Sequence, residues 1–515
     1  MKILPVICII LFGTISYIFP QADISKKEDI AVLPSYSSYD IPDSSYQYFD
    51  DSLMGIFNKM KRFQVVGYQY RLDNNTADKF IEKVREAKKI SALQNPKYVD
   101  ADLGIAVIPA SDMEKIANSF FVFIPSISGY NVTHYLVNVS QKPDWKVLFS
   151  FVTEYKANIT VSIKIISAEG DLVDTFNTST EAKSQAAEDD AYNKAVNQAL
   201  MGLEIHLRNI DRFKIKTTVL KTEVGLVYLQ LGNDIGVSPG YEFMIRKETN
   251  ILDRFKENVN TGLIRVNNIG EQWSSAVIIS GSPEAGDQLV EAPLIGGRVS
   301  LFAGLVPMSV QGSGFSIQFD NPDVSFKNSG FFSDSSYVFN IGLHGEYEAG
   351  YAGLLDFKVG AMISNPFAFN ADLGGGYEVY IGRVSLVFGG DLSFIGLFKS
   401  LGSIDNPDGD ITIGNTNFDD NIDVNLSGIS IGVKPRISLD YQVSQNFKIR
   451  LTAGYAYYFF NNYYLTFTSS SDSSVSSTVG LNSGDVTMRL NGNLINSLPI
   501  NFNGPFGEID FIARF

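Results

Sequence analysis

Strict alternation of apolar and polar residues dominates residues 293–515. From Ile429 to Tyr441 every odd position is apolar, and the positions between them include Lys434, Arg436 and Asp440. A period of two sustained over this length indicates an extended strand with one apolar face. Strands in soluble proteins average about five or six residues, whereas a tilted strand that crosses a membrane needs about 9–11. The alternation therefore predicts membrane-spanning β-strands.

Eight such segments follow one another in this part of the chain. They lie at residues 296–306, 335–348, 351–364, 371–381, 384–398, 427–441, 446–460 and 506–515. Short links near 349–350, 382–383 and 443–444 alternate with longer links that are mostly rich in Ser, Asn, Asp and Gly. An even number of strands with short turns at one end and long loops at the other is typical of outer-membrane barrels. We therefore predict an eight-stranded antiparallel transmembrane β-barrel over residues 293–515, located in the cell outer membrane.

The last predicted strand has an apolar face that includes Phe511 and Phe515. A terminal strand that ends in Phe resembles the barrel-assembly signal of outer-membrane proteins, and the segment as a whole resembles the small barrels of the OmpA/OmpX class. This resemblance implies that the barrel assembly machinery and outer-membrane lipid are partners of the chain. The alternative of a soluble β-sandwich fits less well, because sandwich strands are shorter.

An eight-stranded barrel has an interior only wide enough for its own side chains. The positions that alternate with the apolar face carry charged residues, and these are predicted to point inward. Charges in a narrow interior of low dielectric need partners, so we predict an ion-pair network that plugs the barrel. A gated pore with a charge-lined constriction is the alternative. The predicted network consists of Glu346, Asp356, Lys358, Glu378, Asp391, Lys434, Arg436, Lys448, Arg450, Glu508, Asp510 and Arg514.

Residues 23–210 alternate between strand-like and helix-like segments. Asp29–Pro34 and Phe63–Tyr68 are predicted strands, Thr76 can cap a helix, and residues 181–207 are predicted to form one long helix. The order of "DIAVLP", a helix and "RFQVVGY" resembles the periplasmic domain of the curli-secretion CsgG family and the N-terminal domain of TolB. The resemblance implies an α/β (or α+β) periplasmic domain without catalytic residues, which assembles with periplasmic protein partners or with copies of itself.

Residues 211–292 form short strands punctuated by glycine. The segments "GVSPGYEFMI", "TGLIRV" and "GSPEAGDQLV" resemble the small SH3-like β domain that ends the flagellar assembly protein T. That resemblance implies a second, non-catalytic interaction module in the periplasm. The predicted fold class is therefore multidomain, with an α/β domain, a small all-β domain and a C-terminal barrel.

The first 22 residues carry the features of a secretory signal peptide. A basic start at Lys2 precedes an apolar stretch from Ile3 to Phe19, and Ala22 offers a cleavage site. Cys8, the single cysteine, lies within this segment, so the exported chain is expected to lack thiol chemistry. The formal net charge of −15 argues against nucleic acid as a partner.

Candidate chemistry is sparse elsewhere in the sequence. Residues 236–240 match a G-x-S-x-G pattern, but a proline and a strand-like segment follow where a helix is required. The three histidines, His134, His206 and His344, form no metal-binding sequence pattern. The acidic stretch 405–423 lacks the calcium-loop spacing, which leaves open a weak calcium-binding loop or a solvated acidic loop. We expect no cofactor, no metal and no enzymatic activity.

These patterns together predict a non-catalytic outer-membrane protein. The barrel is expected to anchor periplasmic modules formed by residues 23–292 and to display its long loops at the cell surface. The alternative is a pore or secretion channel for small solutes or exported chains.

Overall fold

The structure is a computed structural model of the 515-residue chain. It describes residues 24–67, 74–91, 93, 97–103, 107–118, 121–138, 151–167, 169–251, 255–310, 315–319, 325–326, 335–364, 366–406, 411–413, 415–480, 486–495, 498 and 500–515. The predicted signal peptide lies outside these residues. Within them, no helix combines the length and the apolar character needed to cross a membrane.

Residues 28–209 form a sheet with helices packed on both of its faces, which we call the α/β region. Its elements are β1 (Glu28–Val32), β2 (Tyr36–Ser37), α1 (Asp43–Met60), β3 (Phe63–Gly67), α2 (Asn74–Ser91), β4 (Ala101–Asp102), β5 (Val107–Ile108), α3 (Ala110–Asn118), β6 (Phe121–Asn138), β7 (Phe151–Ser167), β8 (Leu172–Ser184), α4 (Glu188–Leu200) and α5 (Leu203–Asn209). The sheet order is β3-β1-β6-β7-β8, with β2 beside β6. Strand β1 runs parallel to both neighbours, and β6 to β8 are antiparallel.

Alternation along the strands explains the two cores of the α/β region. In β1, Ile30 packs with α1 and α4, whereas the next residue, Ala31, packs with α2 and α3 on the other face. The prediction of one helix over residues 181–207 was wrong. Residues 181–184 belong to β8, because they pair with the long strand β7, and the helix is interrupted between α4 and α5 at Met201 and Gly202.

Residues 216–291 form a small closed barrel, which we call the small barrel. Its strands are β9 (Lys216–Glu223), β10 (Leu226–Leu229), β11 (Glu242–Ile251), β12 (Phe255–Ile269), β13 (Ser274–Ser280) and β14 (Gln288–Glu291), with a 3-10 helix at Asn233–Ile235. The six strands close in the order β10-β13-β12-β11-β14-β9. Its interior is filled by aliphatic side chains and Phe243. Ser238 is followed by a turn and by β11, and not by a helix.

Residues 297–514 contain a second closed sheet, which we call the large barrel. Its elements are β15 (Gly297–Val310), β16 (Phe315–Phe319), β17 (Ser325–Phe326), β18 (Ser335–Ala349), β19 (Gly353–Ile363), β20 (Phe367–Ile381), β21 (Val384–Ile404), β22 (Ile411–Ile413), β23 (Thr416–Phe418), β24 (Ile422–Ser444), β25 (Phe447–Ser469), β26 (Ser476–Gly480), β27 (Val486–Leu490), β28 (Asn493–Ile495), β29 (Ile500–Asn501) and β30 (Gly504–Arg514). The wall runs β18-β19-β20-β21-β24-β25-β30-β15, and the pairing of β15 with β18 closes it.

The outer surface of the large barrel carries an apolar belt. Outward positions on all eight wall strands within this belt are Ala, Val, Leu, Ile, Phe, Tyr, Pro or Gly, and most of their large side chains are exposed. On β24 the belt runs from Ile429 to Tyr441. That distance is about 40 Å along the strand, or about 30 Å after a barrel tilt of about 40°.

Beyond this belt, the wall strands exchange the polarity of their two faces. In β24 the outward residues Asp423 and Asn425 are polar, while the inward residues Ile422, Val424 and Leu426 are buried. Strand β25 changes in the same way beyond Phe460, where inward side chains become apolar. The wall therefore continues past the belt as a barrel with an apolar core. This extension makes β21, β24 and β25 longer than the sequence predicts.

Candidate functional site: the charged interior of the large barrel

The charged residues predicted to point inward all lie inside the large barrel. Each of them is buried. They share the interior with further buried charges at Arg298, Glu348, Asp372 and Asp440, and with His344. They occupy the half of the barrel that has the tight turns and faces the small barrel.

The first cluster lies at the mouth nearest the small barrel and is centred on Glu378. This carboxylate lies 2.6 Å from Arg298 Nη2 and 2.5 Å from Lys448 Nζ. The hydroxyl groups of Tyr380 and Ser385 donate hydrogen bonds to it as well. Two cations and two hydroxyl groups therefore satisfy a carboxylate that is removed from water.

The second cluster is a two-point pair between Arg450 and Asp440. Arg450 Nε and Nη2 lie 2.6 Å and 2.9 Å from the two oxygens of Asp440. Arg450 Nη1 also donates to Glu346. The fork geometry of a guanidinium gives such pairs strength and a fixed orientation.

The third cluster lies deeper in the barrel and consists of one arginine between two carboxylates and of two lysine–carboxylate pairs. Arg436 Nε binds both oxygens of Asp391 at 3.2 Å and 3.1 Å, and its Nη2 donates to Asp356. The other two pairs are Lys434 with Asp372 at 2.8 Å and Lys358 with Glu508 at 2.7 Å.

His344 and Asp510 form a pair of a different kind. His344 Nδ1 lies 3.0 Å from Asp510 Oδ1, and both residues are fully buried. Ser300 also donates to this oxygen at 3.2 Å. Asp510 contacts no Arg or Lys side chain within the described residues, in contrast to the other acids of the interior.

Buried ion pairs continue across the boundary between the large and small barrels. Arg265 of β12 binds Glu242 at 3.0 Å and Glu348 of β18 at 2.6 Å. Its guanidinium also donates to the backbone carbonyls of Gly350 and Tyr351. Arg514, at the end of β30, contacts both Glu242 and Glu348, at 2.7 Å and 3.1 Å. The small barrel is thus attached to the mouth of the large barrel through a buried four-residue network.

A similar buried carboxylate joins the small barrel to the α/β region. Glu291 lies 2.9 Å from Arg62 Nη1 and 2.7 Å from Arg208 Nε, and it accepts a hydrogen bond from the backbone N–H of Ile215. Burial raises the pKa of Glu291, but the two guanidinium groups and the hydrogen bonds outweigh burial, so its pKa lies below its ordinary value. Glu291 is therefore ionised at neutral pH.

The half of the interior that lies beyond the charges is apolar. Met308, Leu397, Phe467 and Phe506 belong to one buried cluster there. The hairpin formed by β22 and β23 contributes Phe418 to this cluster. Charged and apolar layers therefore fill successive levels of the same barrel. No site for acid–base or nucleophilic chemistry open to solvent is evident among these described residues.

Glu348, Asp372 and Asp440 belong to the network because they follow the same inward alternation of their strands. Three other residues of the network, Arg298, Glu242 and Arg265, are not predicted. Arg298 lies on the inward face of β15, two residues before Ser300, so the alternation of that strand contains the signal. Glu242 and Arg265 lie in the small barrel, and no local pattern indicates that they reach the large one.

The remaining sequence predictions concern residues outside the network. Phe511 and Phe515 lie on the outer face and are half-exposed. In the acidic stretch 405–423, Asp408 and Asp410 lie outside the described residues, so the possible calcium site stays a prediction.

Comparisons with known proteins show only distant likenesses. No protein-family model matches the chain, and no curated protein matches it. Among solved structures, a major outer membrane protein from Thermus thermophilus is 11% identical, covers 42% of this chain and 99% of its own, and has a TM-score of 0.25. The outer membrane protein OprG from Pseudomonas aeruginosa is 12% identical, covers 43% of this chain and 97% of its own, and has a TM-score of 0.19. Likenesses this distant transfer no function to the chain.

Proposed function

We propose that the chain is an outer-membrane protein whose large barrel is a closed anchor. The apolar belt supports this proposal, because a soluble barrel would not expose a continuous ring of Leu, Ile, Phe and Tyr. Its height of about 30 Å is close to the apolar band of about 25 Å in outer-membrane barrels, once the aromatic rings at both edges are included. The change of polarity near Ser427 then marks the level at which the wall leaves lipid and enters water.

The proposal that the barrel is closed is supported by the salt bridges between the charged side chains in its interior. Every Arg and Lys that the structure describes in the interior lies within 4.0 Å of a carboxylate, and the apolar layer fills the next level of the barrel. An ion that passes through would have to break pairs whose separation leaves uncompensated buried charges, at about 3–5 kcal/mol for each pair. A plug is therefore favoured over a pore.

In this proposal the α/β region and the small barrel lie in the periplasm. The small barrel sits against the turn-bearing mouth of the large barrel, which is the periplasmic end in proteins of this kind. The hairpin of β6 and β7 extends beyond β8, and its outer part exposes Leu136, which is 69% accessible. Such an arm suits a non-catalytic assembly module that binds periplasmic proteins or a second copy of the chain.

Two measurements on the purified full-length chain test the anchor. A folded barrel in detergent should migrate faster on a gel before boiling than after it. In planar bilayers the same preparation should give no conductance steps, while a general porin added to the same bilayers serves as the positive control. A mobility that does not depend on heating would contradict the barrel anchor.

Variants separate a plug from a pore. If the wild-type chain conducts, and Arg436→Gln and Arg450→Gln abolish the steps, the charged interior is a conduction path and the anchor proposal is wrong. Arg383→Gln is the matched control, because Arg383 lies exposed in a turn at the same mouth and its loss should leave any current unchanged.

A further inference from the structure

The interior of the large barrel, taken with the two small-barrel residues that complete its mouth, has an imbalance of charge. Among the described residues, its carboxylates number ten and its Arg and Lys side chains number eight, so two negative charges remain when His344 is neutral. The carboxylates are Glu242, Glu346, Glu348, Asp356, Asp372, Glu378, Asp391, Asp440, Glu508 and Asp510. The cations are Arg265, Arg298, Lys358, Lys434, Arg436, Lys448, Arg450 and Arg514. A buried excess of charge is costly and calls for a compensating ligand or proton.

Strand geometry brings three metal-ligating side chains together at one level of this interior. His344 and Glu346 lie two residues apart on β18 and therefore on the same face, and Asp356 of β19 pairs directly with Glu346. A ring nitrogen of His344 and one carboxylate oxygen from each acid lie within 4.8 Å of one another. His344 Nε2 is 3.5 Å from Glu346 Oε1.

Two ligand atoms of this group have no hydrogen-bond partner in the part of the chain that the structure describes. These atoms are His344 Nε2 and Asp356 Oδ1. Water does not reach them readily, because the two residues are only 1% and 4% exposed. Most buried polar atoms in proteins are hydrogen-bonded, so each exception needs an explanation. Arg436 and Arg450 donate hydrogen bonds to Asp356 and Glu346, which leaves further lone pairs of these carboxylates available.

The other ring nitrogen of His344 has the partner that metal-bound histidines usually have. His344 Nδ1 lies 3.0 Å from Asp510 Oδ1. A carboxylate that accepts the second N–H fixes the tautomer and directs Nε2 towards a metal ion. Among the described residues, Asp510 is the one acid of the interior that forms no salt bridge with an Arg or Lys, and His344 is its charged or polar ring partner.

We propose that His344, Glu346 and Asp356 bind a divalent transition-metal ion such as Zn²⁺, with Asp510 as the residue that positions the histidine. One nitrogen and two oxygen ligands suit Zn²⁺ and Co²⁺, and a charge of +2 cancels the excess. The ion locks β18, β19 and β30 together and completes the plug. The site does not depend on whether the chain conducts, so its failure and that of the anchor are distinguishable.

Metal content of the full-length chain tests this proposal. The chain is unfolded with a chelator, refolded in detergent with Zn²⁺ or Co²⁺, freed of loose metal and analysed by mass spectrometry. We expect about one ion per chain, as in other folding-coupled sites, and visible d–d absorption from bound Co²⁺. Wild-type barrel that refolds without retaining either metal would overturn the proposal.

Variants assign the ion to this site. His344→Asn keeps a donor near Asp510 but removes Nε2, and Asp356→Asn removes a charge, so each should lose the bound ion. Asp510→Asn should retain it with affinity weakened about 10- to 100-fold. His134→Asn, an exposed histidine of β6, is the control and should bind as wild type. Heat-dependent gel mobility verifies folding of each variant. Unchanged metal content in a folded His344→Asn or Asp356→Asn barrel would contradict the site.

Discussion

The guanidinium of Arg265 lies 2.6 Å from the carboxylate of Glu348, and the two residues belong to different barrels. Arg265 is 2% exposed, so this contact is screened from water. The small barrel is therefore packed against the mouth of the large barrel through a buried ion pair, and is not joined to it by a flexible linker alone. The two barrels should therefore be coupled in stability.

We predict strong non-additivity between Arg265→Met and Glu348→Gln. Each single change leaves buried charges without their partner and should destabilise the small barrel by about 3–5 kcal/mol. The double variant should be less destabilised than the sum of the single variants by about 0.5–3 kcal/mol, as for contacting residues. Urea unfolding of the full-length chain carrying Trp145→Phe, so that its fluorescence comes from Trp273, measures this.

The exposed pair Lys247–Glu284, at 3.3 Å, supplies the control for that cycle. Its coupling should be no more than about 1 kcal/mol, since exposed pairs contribute little. A cycle at Arg265 and Glu348 that is as additive as the control would show that the two barrels are independent.

Loss of Glu291 should destabilise the α/β region and the small barrel in a pH-dependent way. The pKa of Glu291 is lower in the folded chain than in the unfolded one. Its stabilising contribution is therefore fully present above the ordinary glutamate pKa and is lost as the pH falls through the lower folded value. We expect Glu291→Gln to lower the free energy of unfolding by about 3–5 kcal/mol at pH 7.

The difference between wild type and Glu291→Gln should then shrink below about pH 4. The exposed acid Glu284 gives the matched variant Glu284→Gln, which should show almost no change at any pH. Urea titrations from acid to neutral pH compare the three chains. A difference that stays constant across this range would refute the role of ionised Glu291.

Val224 stores backbone strain in the hairpin between β9 and β10. Its φ is +49° and that of Gly225 is +79°, so both central residues of the two-residue turn are left-handed. Asn is favoured over a β-branched residue in this conformation. Since the Val224 side chain is 97% exposed, its loss removes no packing.

We therefore predict that Val224→Asn stabilises the small barrel by about 0.5–1 kcal/mol. The urea midpoint monitored through Trp273 in the same Trp145→Phe background should rise. Leu220→Asn, at an exposed position of the adjoining strand β9, should give no such gain. A midpoint that falls on Val224→Asn would mean that the valine side chain makes a contact that the isolated chain does not show.

The level at which the wall leaves the membrane can be located with arginine substitutions along β24. Val433 points outward within the belt, and Asn425 points outward beyond it. Val433→Arg should destabilise the barrel in lipid vesicles by about 2–4 kcal/mol, and Asn425→Arg by no more than about 1 kcal/mol. Equal effects at both positions would contradict the proposed membrane boundary.

The sequence predicted the large barrel well where one face of each strand is apolar throughout. Alternation placed Lys434 and Arg436 inside, because a period of two leaves them no other face. It failed beyond Ser427, where Ile422, Val424 and Leu426 take the inward positions. The apolar residues there change from odd to even positions, so the regular pattern ends although the strand continues.

Long-range pairing marks the other limit of prediction from sequence. The partners Arg450 and Asp440 lie on adjacent strands, so the register of a hairpin suggests their contact. Glu291 lies in the small barrel and Arg62 in the α/β region, far apart along the chain, and nothing near either residue indicates the other. The same holds for Asp510 and His344, which meet only because the first and last strands close the barrel.

The exchange of polarity along β24 has a consequence for biogenesis. The segment beyond the belt presents Asp423 and Asn425 on its outer surface, and in the proposed outer-membrane location it must traverse the hydrocarbon layer to reach the far side. Its folded surface is thus unsuited to the medium that it crosses. The polar outer surface of this segment therefore creates a kinetic barrier to unaided insertion into a bilayer. Thin or defect-rich membranes, or a catalyst that opens a hydrated passage, lower that barrier without altering the final fold.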